Sequence, residues 1–237
     1  MTTLDNKGKS MLKYLGLFVL ILSSFILTNY SHALSWETSC TVDKGSIQRK
    51  GWSSYVFKTS KNHCRGGIFK QRSEINTSNI SVTRKQTYVF STIMAMNTKS
   101  AEPFLFFQIH DGRNGCSPPL SVRWGRNNRL SFDSDYTKGI GMAGCVQNVS
   151  LRRSGYTGPP LKRDGTKYPI KVVLAFDGNG SFNVDVSVKG NKAISGKYAP
   201  SSNPELVRSK QFYMKHGVYS QNVFAYEMTS EGVRVGR

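Results

Sequence analysis

Alternation of apolar and polar residues with a period of two is the feature that most restricts the fold of this chain. From Ser181 to Val188, four apolar side chains fall on one face and the polar ones on the other. Asp177-Gly178-Asn179-Gly180 joins this run to Lys171–Phe176, which predicts a β-hairpin. No long run after the first 33 residues has a helical period, so the pattern predicts an all-β sandwich of two antiparallel sheets, such as a jelly roll. Further strands are predicted at Tyr88–Met96, Pro103–His110, Ser121–Trp124 and Leu130–Phe132, and Gly125–Arg129 is predicted to join the last two as a second hairpin.

The charge of the chain is its most unusual compositional property. Its 237 residues include 33 Lys and Arg against 14 Asp and Glu, a formal charge of +19. The hydrophobic share is 38%, and it becomes roughly 43% when Gly is counted in place of Tyr, which is close to an ordinary globular domain. This excludes a fully disordered chain and a multi-spanning membrane protein. A charge this large favours a polyanionic partner, such as a nucleic acid, an acidic surface or an acidic polysaccharide.

The first 33 residues have the pattern of a secretory signal peptide. An apolar run, Tyr14–Leu27, follows three lysines and precedes the small-residue site Ser31-His32-Ala33. The alternative is a membrane anchor. However, the apolar run has only about 14 residues, and a membrane span needs about 20. We therefore predict a signal peptide at 1–33 and one secreted domain at 34–237, extracellular or periplasmic, with no membrane attachment after cleavage. The three lysines are Lys7, Lys9 and Lys13.

All four cysteines lie in the predicted mature domain. An even number of cysteines in an exported chain predicts two disulfides, for which three pairings are possible. The sequential pairing closes the shortest loops and is our prediction: Cys40–Cys64 and Cys116–Cys145. No cysteine spacing is typical of a metal site. The segment Gly139–Pro160, rich in Gly and basic residues, is predicted to be a long loop tethered by Cys145.

Three of the predicted strands carry reactive polar side chains on one face. Gln108 and His110 share a face of a strand that is otherwise strongly apolar. An exposed ion pair is the simpler interpretation of Arg72 and Glu74 alone, whereas two Tyr, a Lys and two Gln along one strand favour a ligand groove. The three sets are Arg72, Glu74 and Asn76; Gln108 and His110; and Gln211, Tyr213, Lys215, Gly217, Tyr219 and Gln221.

The three segments, in this order, resemble the motif strands of alginate lyases of polysaccharide lyase family seven. Those motifs are R-[ST]-E-L-R, Q-[IV]-H and Y-F-K-A-G-x-Y-x-Q, and here they read Arg72-Ser73-Glu74, Gln108-Ile109-His110 and Tyr213–Gln221. Asn76 replaces the second Arg of the first motif, and His216 replaces the small residue of the third. These departures leave alginate, glucuronan and other uronans open as substrates.

The resemblance implies a concanavalin-like jelly roll that cleaves a polyuronate by β-elimination, without a metal or other cofactor. Arg72 and Gln108 would neutralise the sugar carboxylate. His110 would share in this or act as the base, and Tyr219 would protonate the leaving oxygen and, in a syn elimination, also act as the base. Further substrate contacts are implied for Lys215, Gln221, Tyr213 and Glu74.

The predicted partner is an acidic polysaccharide, bound by a monomer, and not a nucleic acid. Arg123, beside Trp124, could extend a basic groove, although a solvated hairpin rim would have the same sequence. Two other functions remain open. A carbohydrate-binding jelly roll would not need both His110 and Tyr219. A basic exported nuclease would fit the charge but not the polar face of Tyr213–Gln221.

Overall fold

Fourteen β-strands form two antiparallel sheets in the part of the chain that the structure describes. This computed structural model describes residues 34–40, 42–62, 69–110, 118–133, 149–179, 181–200 and 212–237. The strands are β1 Trp36–Thr38, β2 Ile47–Arg49, β3 Tyr55–Lys58, β4 Gln71–Thr77, β5 Lys85–Asn97, β6 Phe104–His110, β7 Leu120–Trp124, β8 Leu130–Asp133, β9 Val149–Arg153, β10 Asp164–Asp177, β11 Phe182–Val188, β12 Asn191–Pro200, β13 Tyr213–Ser220 and β14 Glu227–Gly236.

The order of the strands brings distant parts of the chain together. One sheet has the order β1-β4-β13-β6-β7-β8, and the other has the order β2-β3-β14-β5-β10-β11-β12-β9. Strand β13, near the end of the chain, therefore lies between β4 and β6. Within the described ranges every residue in regular structure belongs to a strand or bridge, and none to a helix. The predicted all-β sandwich of two antiparallel sheets is confirmed.

Both predicted hairpins are present, and their turns show why. Strands β10 and β11 pair through the Asp177 turn, where the Asp177 carboxylate accepts the backbone N–H groups of Asn179 (2.7 Å) and Ser181 (3.1 Å). Gly178 adopts φ +90°, a conformation that glycine reaches without strain. In the β7–β8 hairpin, Asn128 takes the positive φ, as asparagine often does.

One part of the secondary-structure prediction was wrong. The sequence indicated a loop across Gly139–Pro160, but Val149–Arg153 forms strand β9 and pairs with the edge of β12. The run is too short to give a period-two signal by itself. Its pairing with β12, about 45 residues later in the chain, provides the backbone hydrogen bonds that define it.

The predictions on export and on which cysteines pair with each other remain predictions. Residues 1–33, Cys64, Cys116, Cys145 and Gln211 lie outside the described residues. Cys40 is disulfide-bonded, and the bond's other cysteine lies outside them as well. Among the described residues, no helix has the length and apolar character needed to cross a membrane.

The core between the two sheets is rich in aromatic side chains. The rings of Phe90 on β5 and Phe107 on β6 lie 4.8 Å apart, and those of Phe104 and Trp124 lie 5.6 Å apart. These four side chains are almost fully buried. Because the inner face of β6 is anchored in this core, its other face is presented outward in a fixed register.

A histidine in this core links the two sheets. His216 on β13 is fully buried, and its ring packs 5.0 Å from that of Phe90. Its Nδ1 donates to the Phe106 carbonyl oxygen at 2.8 Å, and its Nε2 accepts from the Ser230 hydroxyl of β14 at 2.8 Å. Burial lowers the pKa of His216 to about 4, so the ring is neutral at pH 7.

This buried imidazole makes folding stability depend on pH. The pKa of His216 is lower in the folded protein than in the unfolded chain, where a histidine titrates near 6.5. The unfolded state therefore takes up the proton first as the pH falls. We expect the free energy of unfolding of the unaltered protein, measured relative to that of a His216→Gln variant, to fall by roughly 3 kcal/mol between pH 6.5 and pH 4.

Urea denaturation of both proteins at several pH values measures this difference. A difference curve that stays flat below pH 6.5 would contradict the prediction.

Candidate active site

Strands β4, β13 and β6 are direct neighbours in the six-stranded sheet, and they carry the three motif segments. The inner residues of β13, among them Met214 and His216, point into the core. The residues between them, together with their partners on β4 and β6, occupy the outer face. The register sets these facing pairs: Arg72 with Tyr219, Glu74 with Gly217, Gln108 with Lys215, and His110 with Tyr213.

A buried carboxylate lies at the centre of this face. Glu74 is fully buried, and its Oε1 accepts a hydrogen bond from Gln108 Nε2. Its Oε2 lies 3.3 Å from Arg72 Nε and 3.6 Å from Lys215 Nζ. These three groups come from three different strands. The Glu74 carboxylate therefore sets the positions of a guanidinium, an amide and an ammonium group on one face.

Lys215 is the more deeply buried of the two cations. Its side chain is only 6% exposed, against 14% for Arg72. Burial lowers the pKa of Lys215, the Glu74 carboxylate opposes this shift, and the Arg72 guanidinium adds to it. Two cations in contact with one carboxylate leave this part of the face with a net positive charge.

Tyr219 is held next to this cluster from both sides. The Arg72 guanidinium carbon lies 4.2 Å from the centre of the Tyr219 ring, a cation–π contact. The Phe69 ring lies 4.7 Å away, and the Phe69 backbone N–H donates to Tyr219 Oη at 3.2 Å. The phenol oxygen therefore faces a fixed hydrogen-bond donor. No side-chain pattern in the sequence indicates this role of Phe69, because a backbone N–H can come from any residue except proline.

His110 and Tyr213 form the other end of the site. Their rings stack at 5.4 Å with an interplanar angle of 13°, and both residues are partly exposed. Tyr213 and Tyr219 are six residues apart on β13, which corresponds to about 20 Å along the strand. The Glu74 cluster lies between them. His110 and Tyr219 therefore lie on opposite sides of the cluster along the sheet.

Gly217 permits the close approach of β13 to β4. It adopts φ +145°, and a Cβ atom there would lie 2.1 Å from the Ser73 carbonyl oxygen and 2.6 Å from Glu74 Cα. Any side chain would push the strands apart at the position that faces Glu74. The motif glycine is thus a packing requirement of the site.

Two of the predicted contacts lie farther from the cluster. Arg123 is on β7, next to β6, and forms an ion pair with Asp133 of β8. Asp133 was missed, although a charge on the facing strand of a predicted hairpin could have indicated it. Gln221 lies just past the end of β13 and is exposed. In the described part of the chain, no group of three or more His, Cys, Asp or Glu could hold a metal ion.

The sequence predicts that Glu74 contacts substrate, and this stays a prediction. In the structure its carboxylate is fully buried and contacts Arg72, Gln108 and Lys215. Its geometry is that of a group that positions other side chains.

Comparison with known proteins shows a similarity in fold to solved structures. No protein-family profile and no curated protein matches the sequence. The fold is that of a jelly roll. It is similar to the solved structure of alginate lyase AlgAT5 from polysaccharide lyase family 7, with a TM-score of 0.51 and 15% identity over 85% of this chain and 93% of that chain.

Two further solved structures are similar at lower TM-scores. Alginate lyase PA1167 from Pseudomonas aeruginosa has a TM-score of 0.49 and 16% identity, over 81% of this chain and 86% of that chain. The alginate lyase from Klebsiella pneumoniae has a TM-score of 0.49 and 14% identity, over 81% and 84%. The similarity to AlgAT5 confirms the predicted jelly-roll fold, so the resemblance first seen in three motif strands extends to the fold as a whole.

Gly217 provides a test of the packing between β13 and β4. We expect Gly217→Ala to lower the free energy of unfolding by about 3 kcal/mol or more, because the new methyl group overlaps the β4 backbone. Gly165→Ala is the matched control, since Gly165 also has a positive φ (+88°) but nothing within 4 Å of its Cβ position. We expect this control to lose only about 1–2 kcal/mol. Equal losses in urea denaturation would show that backbone strain alone matters at Gly217.

Replacement of the central carboxylate tests its role in the cluster. Glu74→Gln leaves two buried cations without their counter-charge, so we expect the free energy of unfolding to fall by about 3 kcal/mol. The control is Glu227→Gln, which breaks the exposed Lys58–Glu227 pair (3.1 Å) and should change stability by less than about 0.5 kcal/mol. If the two variants lost similar amounts of unfolding free energy, the ion pairs of Glu74 would stabilise the protein no more than an exposed surface pair does.

Proposed function

We propose that this protein is a secreted polysaccharide lyase that cleaves an acidic, alginate-like polyuronate by β-elimination. The observation that carries the proposal is the arrangement around Glu74. A guanidinium, an amide and an ammonium group are fixed on neighbouring strands, and the guanidinium also contacts the Tyr219 ring. The similarity in fold to a solved alginate lyase supports this proposal.

The reaction defines what the site must supply. A base removes the proton at C5 of a uronate sugar, the C5–H electron pair forms the C4=C5 double bond, and the bond from C4 to O4 breaks. The leaving O4 takes up a proton. The C5 proton is only weakly acidic, because the adjacent carboxylate is already negative. Donors that neutralise this carboxylate therefore lower the barrier.

Arg72 and Gln108 are the groups that we assign to the carboxylate. Gln108 Nε2 uses one N–H to bind Glu74 and has a second for a ligand. Gln108 is only 1% exposed, so its hydrogen bond to Glu74 is shielded from water. Because Glu74 holds Arg72 and Gln108 in place, they need little reorganisation when a substrate arrives. We assign Glu74 this positioning role.

Tyr219 and His110 are the groups that we assign to proton transfer. Tyr219 Oη would protonate O4, and in a syn elimination it would also take the C5 proton. The Phe69 N–H donates to the phenol oxygen, and the Arg72 guanidinium lies over the ring, so the side chain is held in one position. His110 lies on the other side of the Glu74 cluster from Tyr219. It would act as the base when the C5 proton is on the opposite face of the sugar, or it would share in neutralising the carboxylate. Lys215, Tyr213, Gln221 and Arg123 would bind neighbouring sugars.

The charge and the N-terminal segment are consistent with this role. A polyuronate carries about one negative charge per sugar, and a strongly basic protein attracts such a chain over a distance set by salt. We propose that the N-terminal 33 residues direct export and that the domain at 34–237 acts as a monomer.

A panel of polymers tests the function directly. We expect the purified mature protein to produce unsaturated ends, followed by ultraviolet absorbance, from at least one of alginate blocks of either uronate epimer, glucuronan or glycosaminoglycans. If a polymer is bound but no member of the panel is cleaved, a carbohydrate-binding module explains the site better than a lyase.

Tyr219→Phe is the sharpest test of the catalytic assignment. It removes only the hydroxyl group, so we expect kcat to fall by about 10²–10⁴-fold or more while the fold and polymer binding persist. Tyr156→Phe is the control, because its hydroxyl bonds the Pro159 carbonyl oxygen away from the motif strands. A Tyr219→Phe enzyme with near-native kcat would overturn the assignment.

A further inference from the structure

An exposed tryptophan marks a second surface, on the other sheet of the sandwich. Trp52 lies in the turn between β2 and β3, and 93% of its surface is exposed. An indole ring in water leaves a large apolar area unburied, which is unfavourable unless a partner covers it. Trp52 therefore needs an explanation that the proposed active site on the six-stranded sheet does not provide.

The turn that carries Trp52 is held in one conformation. The Arg49 side chain donates to the carbonyl oxygens of Gly51 (3.1 Å) and Trp52 (2.7 Å). The Lys50 N–H donates to the Ser54 carbonyl oxygen at 2.7 Å, and the Val233 N–H of β14 donates to that of Ser53, also at 2.7 Å. The backbone at Trp52 is thus fixed before any ligand binds, which reduces the entropy cost of binding.

A groove begins at the residue after Trp52. It has a volume of about 530 Å³, runs along the outer face of the eight-stranded sheet, and is lined by residues that include Ser53, Ser91, Pro169 and Lys171. A β-bulge accounts for its shape. The register of β14 against β5 shifts between Glu231 and Arg234, and Gly232 in the bulge adopts φ +65°.

The groove combines an apolar floor with fixed positive charge. Ile93 is 40% exposed there, and Pro169 is exposed beside it. Lys171 and Arg234 are both exposed, and Arg234 Nε is held by the Ser91 hydroxyl at 2.9 Å. The acidic residue that lines the groove, Glu231, is neutralised by Lys167 at 2.6 Å. The net charge of this surface is therefore positive.

We propose that this surface, made of Trp52, Ile93, Lys171 and Arg234, is a second, non-catalytic binding site for an acidic polysaccharide. Trp52 and Ile93 would cover the apolar faces of sugar rings, while Lys171 and Arg234 would bind carboxylates. The identity of the ligand rests on the proposed function. A long polymer that occupies this surface remains near the enzyme between cleavage events, so the second site raises the affinity for polymers without altering the chemistry.

The test compares binding of a long polymer with cleavage of a short one. The variant is Trp52→Ala/Lys171→Gln/Arg234→Gln, and the control Lys44→Gln/Lys99→Gln removes the same charge from two other exposed lysines. Binding to polymeric alginate is measured by affinity electrophoresis with Tyr219→Phe added to every protein, so that no polymer is cleaved. We expect the triple variant to raise the Kd for polymer about tenfold or more over the control.

The second measurement keeps Tyr219 in place and follows cleavage of short alginate oligosaccharides. We expect the triple variant to match the control in this reaction, because a short chain occupies only the catalytic face. Equal polymer Kd values for variant and control would overturn the proposal. The proposal would also be overturned if the triple variant lost affinity for duplex DNA by the same factor as for alginate, since that result would indicate a surface that binds any polyanion. If the unaltered enzyme cleaves no alginate oligosaccharide, both measurements are repeated with the polymer that it does cleave in the panel described above. If it cleaves no member of that panel, the proposed lyase function fails, whereas the polymer-binding result still decides on the second site.

Discussion

The buried carboxylate of Glu74 is the interaction on which the rest of the site depends. It contacts one donor from each of three strands, β4, β6 and β13, although these strands are far apart in the chain. A buried charge is costly to desolvate, and it persists in a protein only when well-placed partners surround it. Here the partners are the groups that the proposed lyase reaction needs. The contacts that stabilise the sheet therefore also hold these groups in place.

The two faces of the six-stranded sheet differ in role: the inner face forms the core, and the outer face carries the candidate site. The inner face packs aromatic rings against the second sheet and includes His216, which is neutral and hydrogen-bonded on both ring nitrogens. The outer face carries the charged cluster. Because side chains alternate along β13, His216 and Lys215 are adjacent in sequence and yet lie in opposite environments. A one-residue slip of this strand would exchange the two faces and destroy both.

Sequence reasoning was strongest where the signal is local. The hairpin at Asp177-Gly178 needs only a turn and two alternating runs, and it is present as predicted. It was weakest where a residue acts through long-range contacts. Strand β9 exists because β12 pairs with it. The Phe69 N–H on Tyr219 depends on how a connection enters β4, and no side-chain pattern indicates that.

The sequence by itself determined the all-β class, the faces of the strands, the positive charge and the set of reactive side chains, since these follow from composition and a period of two. The sequence also contains three segments that resemble the motif strands of a known lyase family and occur in the same order. Only the tertiary structure decided that Glu74 is buried, that His110 and Tyr219 lie on either side of the central cluster, and that the residue after Trp52 lines a groove on the opposite sheet. The physical reason is that burial and proximity depend on strand order and register, which are set by pairings between residues more than a hundred positions apart.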